Sequence, residues 1–489
     1  MPIKIPAEIT SLYKIPSASI HELGNAVVMI GRDAECKKLL LLAPTARMLP
    51  DGFAGELLPL PDGVLLRCPC NAVNAAALRQ HFPWTRPVSL RRIRTSIGCG
   101  DRLGLASAGH IAAIRKFQAS PVLAQQSKRE LNMTGRTFQN VVDDAVYLVF
   151  EADFRSGWGA DGDHLKTIED IDVALDAGMP MITLDLSDVM NADAGNWDEA
   201  TIHAAFEKLD AELRNRIESE YAGQTFINGE CAVPLDRLTA RRCAVMYTAA
   251  IDFAEKVYLH LTKKCGEDFD LEISIDETTS PTLPSHHFYM IRELRRRNVI
   301  ISSLAPRFIG EFQKAVDYIG DVEEFERQFK VHAQIARANG NYKISIHSGS
   351  DKFAVYPAIG RETDHYLHLK TAGTSWLVAV ELLAEKEPAL YRKMHQAALE
   401  NFDAMLKLYH ITADINRIPS LESLSDAELP QLMTQPDARQ LLHITYGPIL
   451  TGPLREEFFA AMHKHAEAYS DAVEKHFDKH LSLLHVPQK

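Results

Sequence analysis

Between residues 95 and 390 one pattern recurs about eight times: a short apolar or alternating run, a polar loop, then a helix-spaced segment. The strand-like runs are Ser96-Ile97-Gly98-Cys99 and residues 121–126, 181–186, 270–276, 299–304, 343–347 and 366–370. In 270–276, Leu271, Ile273 and Ile275 share one face of a strand while Glu272, Ser274 and Asp276 share the other. Residues 167–177 place Ile168, Ile171 and Leu175 at helical spacing, and the segment after Gly320-Asp321 does the same with Val322, Phe325, Phe329 and Ala333. The stretch from Trp158 to Lys166 reads as the third polar loop. Strand and helix alternating over this length predict a (β/α)8 barrel, which takes about 250 residues. A doubly wound sheet is the alternative, but no strand is followed by its G-x-G-x-x-G turn.

Around that core, residues 1–90 read as a small α+β region with Pro- and Gly-containing turns. Residues 91–390 form the expected catalytic barrel, carrying a charged, mostly helical insertion at 188–240. Residues 391–489 read as a helical appendage.

Composition narrows the partners. The chain has 489 residues and a formal net charge of -12, which argues against nucleic acid. No run approaches the ~18 apolar residues of a membrane span, and the N-terminus has no secretory core. The seven cysteines are scattered, so a reducing cytoplasm is the expected compartment. The expected partner is a small molecule, and the oligomeric state stays open.

If the strands are barrel staves, their C-terminal ends meet at one mouth. Those ends supply Asp101 and Arg102; Lys128 and Arg129; Asp163, His164 and Lys166; Asp185; Asp276 and Glu277; Arg307; His347, Asp351 and Lys352; His368 and Lys370. One Asp or Lys after a strand usually only starts a turn. Nearly every stave ending in an ionisable group points to a site. Histidines with carboxylates suit a divalent cation of the Zn, Mn, Co or Ni type. His164 and His347 are the ligand candidates, with Asp276, Glu277 and Glu311 competing for the third position. Lys128, Arg129, Arg307, Lys352 and Lys370 make the mouth cationic, which suits a sugar or sugar-acid pocket, with Arg102, Ser350 and Asp351 as further substrate-binding candidates. The histidines of the C-terminus (His463, His465, His476, His480, His485) read as a solvated helical face.

Five segments carry a resemblance. They are Gly159-Ala160-Asp161-Gly162-Asp163-His164-Leu165-Lys166, Ser274-Ile275-Asp276-Glu277-Thr278, Ser303-Leu304-Ala305-Pro306-Arg307-Phe308-Ile309-Gly310, Ile346-His347-Ser348-Gly349-Ser350-Asp351-Lys352-Phe353, and Lys370-Thr371-Ala372-Gly373-Thr374-Ser375. In them the chain resembles the tagaturonate epimerases, a family that includes tagatose 4-epimerases. The resemblance implies a divalent-metal-dependent enzyme inverting one hydroxyl-bearing carbon of a keto-uronate (tagaturonate and fructuronate) or a ketose (tagatose and fructose). It implies Asp163 as proton acceptor, Asp276 or Glu277 as proton donor, and His164, His347 and Glu311 as metal ligands. The inverted carbon is β to the ketone, so simple enolisation does not reach it and a retro-aldol route is expected. The alternatives are a metal-dependent sugar-acid aldolase or lyase on the same barrel, and a non-catalytic carbohydrate-binding protein.

Overall fold

The computed structural model describes residues 5–33, 36–278, 280–348 and 350–489; Gly349, quoted above in the loop after residue 347, lies outside them. Eight parallel strands close into a barrel in chain order. They are β1 (Thr95–Gly98), β2 (Ser120–Ser127), β3 (Gly159–Leu165), β4 (Met181–Asp185), β5 (Asp270–Ile275), β6 (Ser303–Pro306), β7 (Lys343–His347) and β8 (Leu367–Lys370). β8 pairs with β1, matching Lys370 to Gly98, and β4 pairs with β5, matching Thr183 to Glu272. The fold is a (β/α)8 barrel preceded by an antiparallel sheet.

Alternation divides each stave between two environments. Ile97, Leu184, Ile273, Leu304, Ile344, Ile346 and Leu369 point outward and are buried beneath the helices. Ser96, Thr183, Glu272, Ser303, Ser345 and His368 are equally buried but polar, so this barrel has an unusually polar interior. Its lower end is plugged: Leu90, Val122 and Met181 form a small apolar cluster there. Asp270 accepts from the Leu90 and Arg91 amides at 2.7 and 3.1 Å, and the Lys343 ammonium donates to Leu90 O at 3.0 Å. Access is therefore from the upper end.

Two expected elements differ. The stretch taken for a third loop is strand β3. The strand expected at 299–304 begins only at Ser303: Val299 still bonds back to Leu294 of the preceding helix, while Ser302 already reaches Leu271 of β5.

The N-terminal sheet shows the same alternation: Val28, Ile30, Leu39 and Leu41 join the core of the barrel. Met29, Leu40 and Leu42 form a second cluster with Ile9 and Tyr13 on the other face. The insertion carries the helices Glu199–Phe206 and Ala211–Glu220 and a hairpin, Gln224–Asn228 with Cys231–Leu235. Among the described residues no helix is long and apolar enough to cross a membrane.

The last helix, Ala466–Leu483, returns to the barrel wall, where Phe477, Leu481 and Leu484 join the main core. Gly360, on the helix Tyr356–Thr363, allows that approach: a Cβ there would lie 1.9 Å from the Leu484 carbonyl oxygen. Backbone cannot yield as a side chain does. Gly360→Ala is expected to cost about 1–3 kcal/mol, the usual range for overpacking, read as a lower urea midpoint with an unchanged slope.

Candidate active site

At the upper end lies a small, partly open cavity walled mainly by polar and ionisable side chains. Asp163, His164, Asp276, Glu277, His347 and Lys370 line it, with Arg102 in one wall.

Strand β3 brings two of these groups to the same place by carrying one extra residue. Asp161 and Gly162 pair with Met181 and Ile182 of β4, but the next matched pair is Leu165 with Leu184. Three steps on β3 thus oppose two on β4, which is a bulge. Without it, Asp161, Asp163 and Leu165 would all share a face. With it, Leu165 returns to the apolar core while Asp163 and His164 both face the cavity. His164 adopts left-handed backbone at φ 55°, a conformation that costs roughly 1–3 kcal/mol and gathers at functional sites. Gly162 faces the helices, where a Cβ would meet the side chains of Ala174 and Leu165 at 2.8 Å.

The tautomers of both cavity histidines are set by carboxylates. His347 Nε2 lies 2.7 Å from Glu272 Oε1, and Glu272 is fully buried, so that nitrogen carries the proton. His347 Nδ1 is left facing Asp276 Oδ2 at 3.2 Å. Burial lowers this imidazole but Asp276 raises it further, and a cation bound between them would take the place of the proton Asp276 favours. His164 Nδ1 lies 2.6 Å from Asp163 Oδ1, leaving Nε2 3.6 Å from Asp276 Oδ1. One ligand atom from each of His164, Asp276 and His347 can be chosen within 4.8 Å of the others. Two imidazole nitrogens and a carboxylate converging in this way are a donor set for a cation. Glu272 and Asp163 then act as the outer partners that orient metal-binding histidines.

Beneath this cluster Lys370 gathers the acids. Its ammonium lies 2.8 Å from Asp161, 2.5 Å from Asp163 and 3.4 Å from Glu272, and donates to Thr183 Oγ1 at 2.7 Å. Burial raises the Asp163 carboxyl, but Lys370 and His164 outweigh it and hold the group well below the usual carboxylate range. Burial likewise opposes ionisation of Glu272, and Lys370 with His347 brings it well below its ordinary value. Asp161, buried and beside two other carboxylates, is pushed up to about 6 despite Lys370.

The remaining residues named from the sequence divide. Arg102 lines the cavity, but its guanidinium is committed to Glu130 at 2.7 Å and stacks on the Tyr446 ring at 3.7 Å. Lys128 is outside, paired with Asp170 at 2.5 Å. Arg307 and Glu311 face each other at 3.7 Å on the loop after β6, with Glu311 3.5 Å from His410; neither lines the cavity. Glu311 is therefore not near His164 and His347, and Asp276 occupies the place expected of it.

Ser350, Asp351 and Lys352 also turn away from the cavity. Lys352 is buried among carbonyl oxygens of Gln313 (2.9 Å) and Val316 (2.8 Å), with Ser350 Oγ at 3.1 Å. The Ser350 hydroxyl in turn accepts from the Ala315 amide at 2.8 Å. These residues pin the 313–316 segment in place and so position Lys314 in the cavity. Asp351 faces the C-terminal helix, with His476 at 2.8 Å. His368 sits deeper in the barrel, 2.9 Å from Ser96 Oγ.

Sequence reading missed Lys314, Glu130 and Tyr409. Lys314 follows no strand directly and Tyr409 lies past the barrel, so strand-end position did not single them out. Glu272 was visible on the polar face of β5, and its place opposite Thr183 and Ser303 could have marked it as an orienting group.

A polar-cored (β/α)8 barrel whose mouth holds a histidine–carboxylate cluster, ringed by basic and hydroxyl-bearing side chains, has the makings of a carbohydrate-transforming enzyme. The model of the tagaturonate epimerase family (UxaE) matches residues 17–484. The tagaturonate/fructuronate epimerase of Thermotoga maritima is 38% identical over 476 residues, covering 96% of this chain and 97% of its own. Crystal structures of the fructuronate-tagaturonate epimerase UxaE from Cohnella laeviribosi superpose closely. The form with one glycerol has a TM-score of 0.94 at 42% identity, covering 98% of both chains. The native form has a TM-score of 0.93 at 42% identity, covering 98% of this chain and all of that one. The chain belongs to the tagaturonate epimerase family and is an isomerase, a carbohydrate epimerase.

Proposed function

We propose that the chain interconverts D-tagaturonate and D-fructuronate, inverting the hydroxyl-bearing carbon β to the ketone with the help of a divalent cation. The observation that carries this is the pair of histidines, each anchored through one ring nitrogen to Glu272 or Asp163, whose other nitrogens both face Asp276. His164 Nε2, His347 Nδ1 and an Asp276 oxygen would hold the cation, and imidazole with carboxylate favours the Zn, Mn, Co or Ni type. When bound, such a cation supplies Lewis acidity toward the ketone oxygen.

The protein's own groups then handle one proton and one carbon–carbon bond. Asp163, kept ionised by Lys370 and His164, accepts the proton of the hydroxyl on the β carbon. The bond between the α and β carbons breaks, its electron pair passing into the enediolate of one fragment while the β carbon becomes an aldehyde. The aldehyde turns over, the bond reforms on its other face, and the oxygen is reprotonated. Glu277 is suited to supply that proton: it lines the cavity, with Arg129 at 3.7 Å and Lys314 nearby. Atoms balance, and no electron carrier is needed.

A uronate reading is favoured over a neutral ketose by Lys314. It lines the cavity and, among the described residues, has no ion-pair partner. Arg129 stands beside it. A substrate carboxylate would complete this pair. Lys314→Met is expected to raise KM for the uronates about 10-fold or more, the loss of roughly 1.4 kcal/mol or more of binding, with a smaller change in kcat. Equal KM values in both proteins would remove Lys314 from carboxylate binding.

The deciding experiment is turnover of tagaturonate, fructuronate, tagatose and fructose by the purified protein, with added divalent cation and after chelation. Epimerised uronate, lost on chelation, is the expected product. Released fragments would mark an aldolase, and chelator-resistant turnover would rule out the metal. All seven cysteines carry free thiols, in keeping with a cytoplasmic enzyme.

A further inference from the structure

Of the C-terminal histidines expected to be solvated, His463 and His485 are exposed, but His476 and His480 are turned inward. His480 is fully buried, and His476 faces the loop after β7 rather than open water. They sit at positions i and i+4 of the helix Ala466–Leu483, on one face of it. Asp351 reaches them from that loop: its Oδ1 is 2.8 Å from His476 Nε2 and 3.3 Å from His480 Nε2. The three ligand atoms all lie within 4.8 Å of one another.

A separate observation concerns where the His480 proton is. His480 Nδ1 lies 2.9 Å from the His476 carbonyl oxygen, which can only accept, so Nδ1 carries the hydrogen. Nε2 then points a lone pair toward Asp351, and it has no hydrogen-bond partner although fully buried. A lone pair against a carboxylate oxygen at 3.3 Å is repulsive unless something positive lies between them. A second proton on the ring would make this contact an ion pair, but burial disfavours a charged imidazole there, and Arg439, 3.3 Å from the other Asp351 oxygen, already supplies one charge.

We propose that Asp351, His476 and His480 form a second divalent-cation site, separate from the cavity, that clasps the C-terminal helix to the loop after β7. Two imidazole nitrogens and one carboxylate oxygen are a zinc-type donor set. Bond lengths of 2.0–2.2 Å in a tetrahedron put neighbouring ligand atoms about 3.3–3.6 Å apart. The observed 2.8 and 3.3 Å need little adjustment to meet that. The Nδ1–H bond of His480 and the Arg439 contact to Asp351 are the outer partners such ligands usually have. Water would take the fourth position on the more exposed His476 side.

The test uses the full-length protein, stripped with chelator, reloaded with Zn²⁺ and freed of excess by gel filtration, with metal counted per chain. His476→Gln is expected to hold one zinc fewer than the unaltered protein, whatever the content of the cavity site. In Co²⁺-loaded protein it should also lose a fraction of the tetrahedral visible absorbance. His480→Gln should behave alike; should it fail to fold, His476→Gln decides, since its position is partly exposed. Equal zinc content in folded His476→Gln and the unaltered protein would overturn the site. His347→Ala, tested in parallel, reports on the cavity site alone and keeps the two questions apart.

Discussion

Replacing His347 with Ala is expected to lower kcat/KM by about 10³-fold or more, while the melting temperature changes little. The figure is the loss of a few kcal/mol of charge stabilisation at tenfold per 1.36 kcal/mol. The reason lies in the chain of contacts behind the ring. Glu272, anchored by Ser303 Oγ at 2.6 Å, holds the Nε2 proton of His347, and Nδ1 is thereby aimed at Asp276. Alanine removes one of three donors and frees Glu272 Oε1 from one partner, while Thr183 and Lys370 remain near it at 3.2 and 3.4 Å. The buried charge thus stays compensated, which is why stability should survive. The check is paired: steady-state kinetics with excess divalent cation, and metal content after gel filtration. Near-normal turnover together with near-normal metal content would take His347 out of the site.

Lys370→Met is expected to be the more damaging change, costing about 3–5 kcal/mol of stability, the usual range for breaking a buried ion pair. Lys370 is the cation shared by Asp161, Asp163 and Glu272, all buried. Methionine fills a similar volume but leaves those carboxylates with only hydroxyls, amides and imidazoles. Activity should fall as well, since Asp163 loses a charge that keeps it ionised. The stability deficit carries a pH signature. Without the ammonium, the folded state holds these carboxyls at higher pKa than the unfolded chain does, and so binds more protons. Stability of the variant relative to the unaltered protein must then fall as pH rises and recover as pH drops toward 5. Urea midpoints of both proteins at pH 5 and pH 8 measure this. A deficit independent of pH would place the damage in packing instead of charge.

The barrel was legible because its staves alternate and its helices keep their period; 343–347 and 270–276 announce both faces plainly. Asp163 and His164 were assigned to the mouth correctly but through the wrong element. Gly159, Asp161, Gly162 and Asp163 are turn residues by composition, and nothing local reveals that close packing requires Gly162 while Asp161 and Asp163 are needed for Lys370. Ser350, Asp351 and Lys352 failed in the opposite way. They follow a stave and look like substrate contacts, yet a helix more than a hundred residues later and the 313–316 segment claim them. Local pattern predicts which face a residue occupies. It does not say which distant segment will arrive there.

The bulge in β3 also makes the site depend on length as well as composition. Asp163 and His164 converge because three residues on β3 are counted against two on its neighbour. A shortened strand could keep every acid and every histidine and still send one of the two outward into the helices. For this barrel, spacing is part of the active-site vocabulary, and two chains with the same letters but a different count there would not share a mouth.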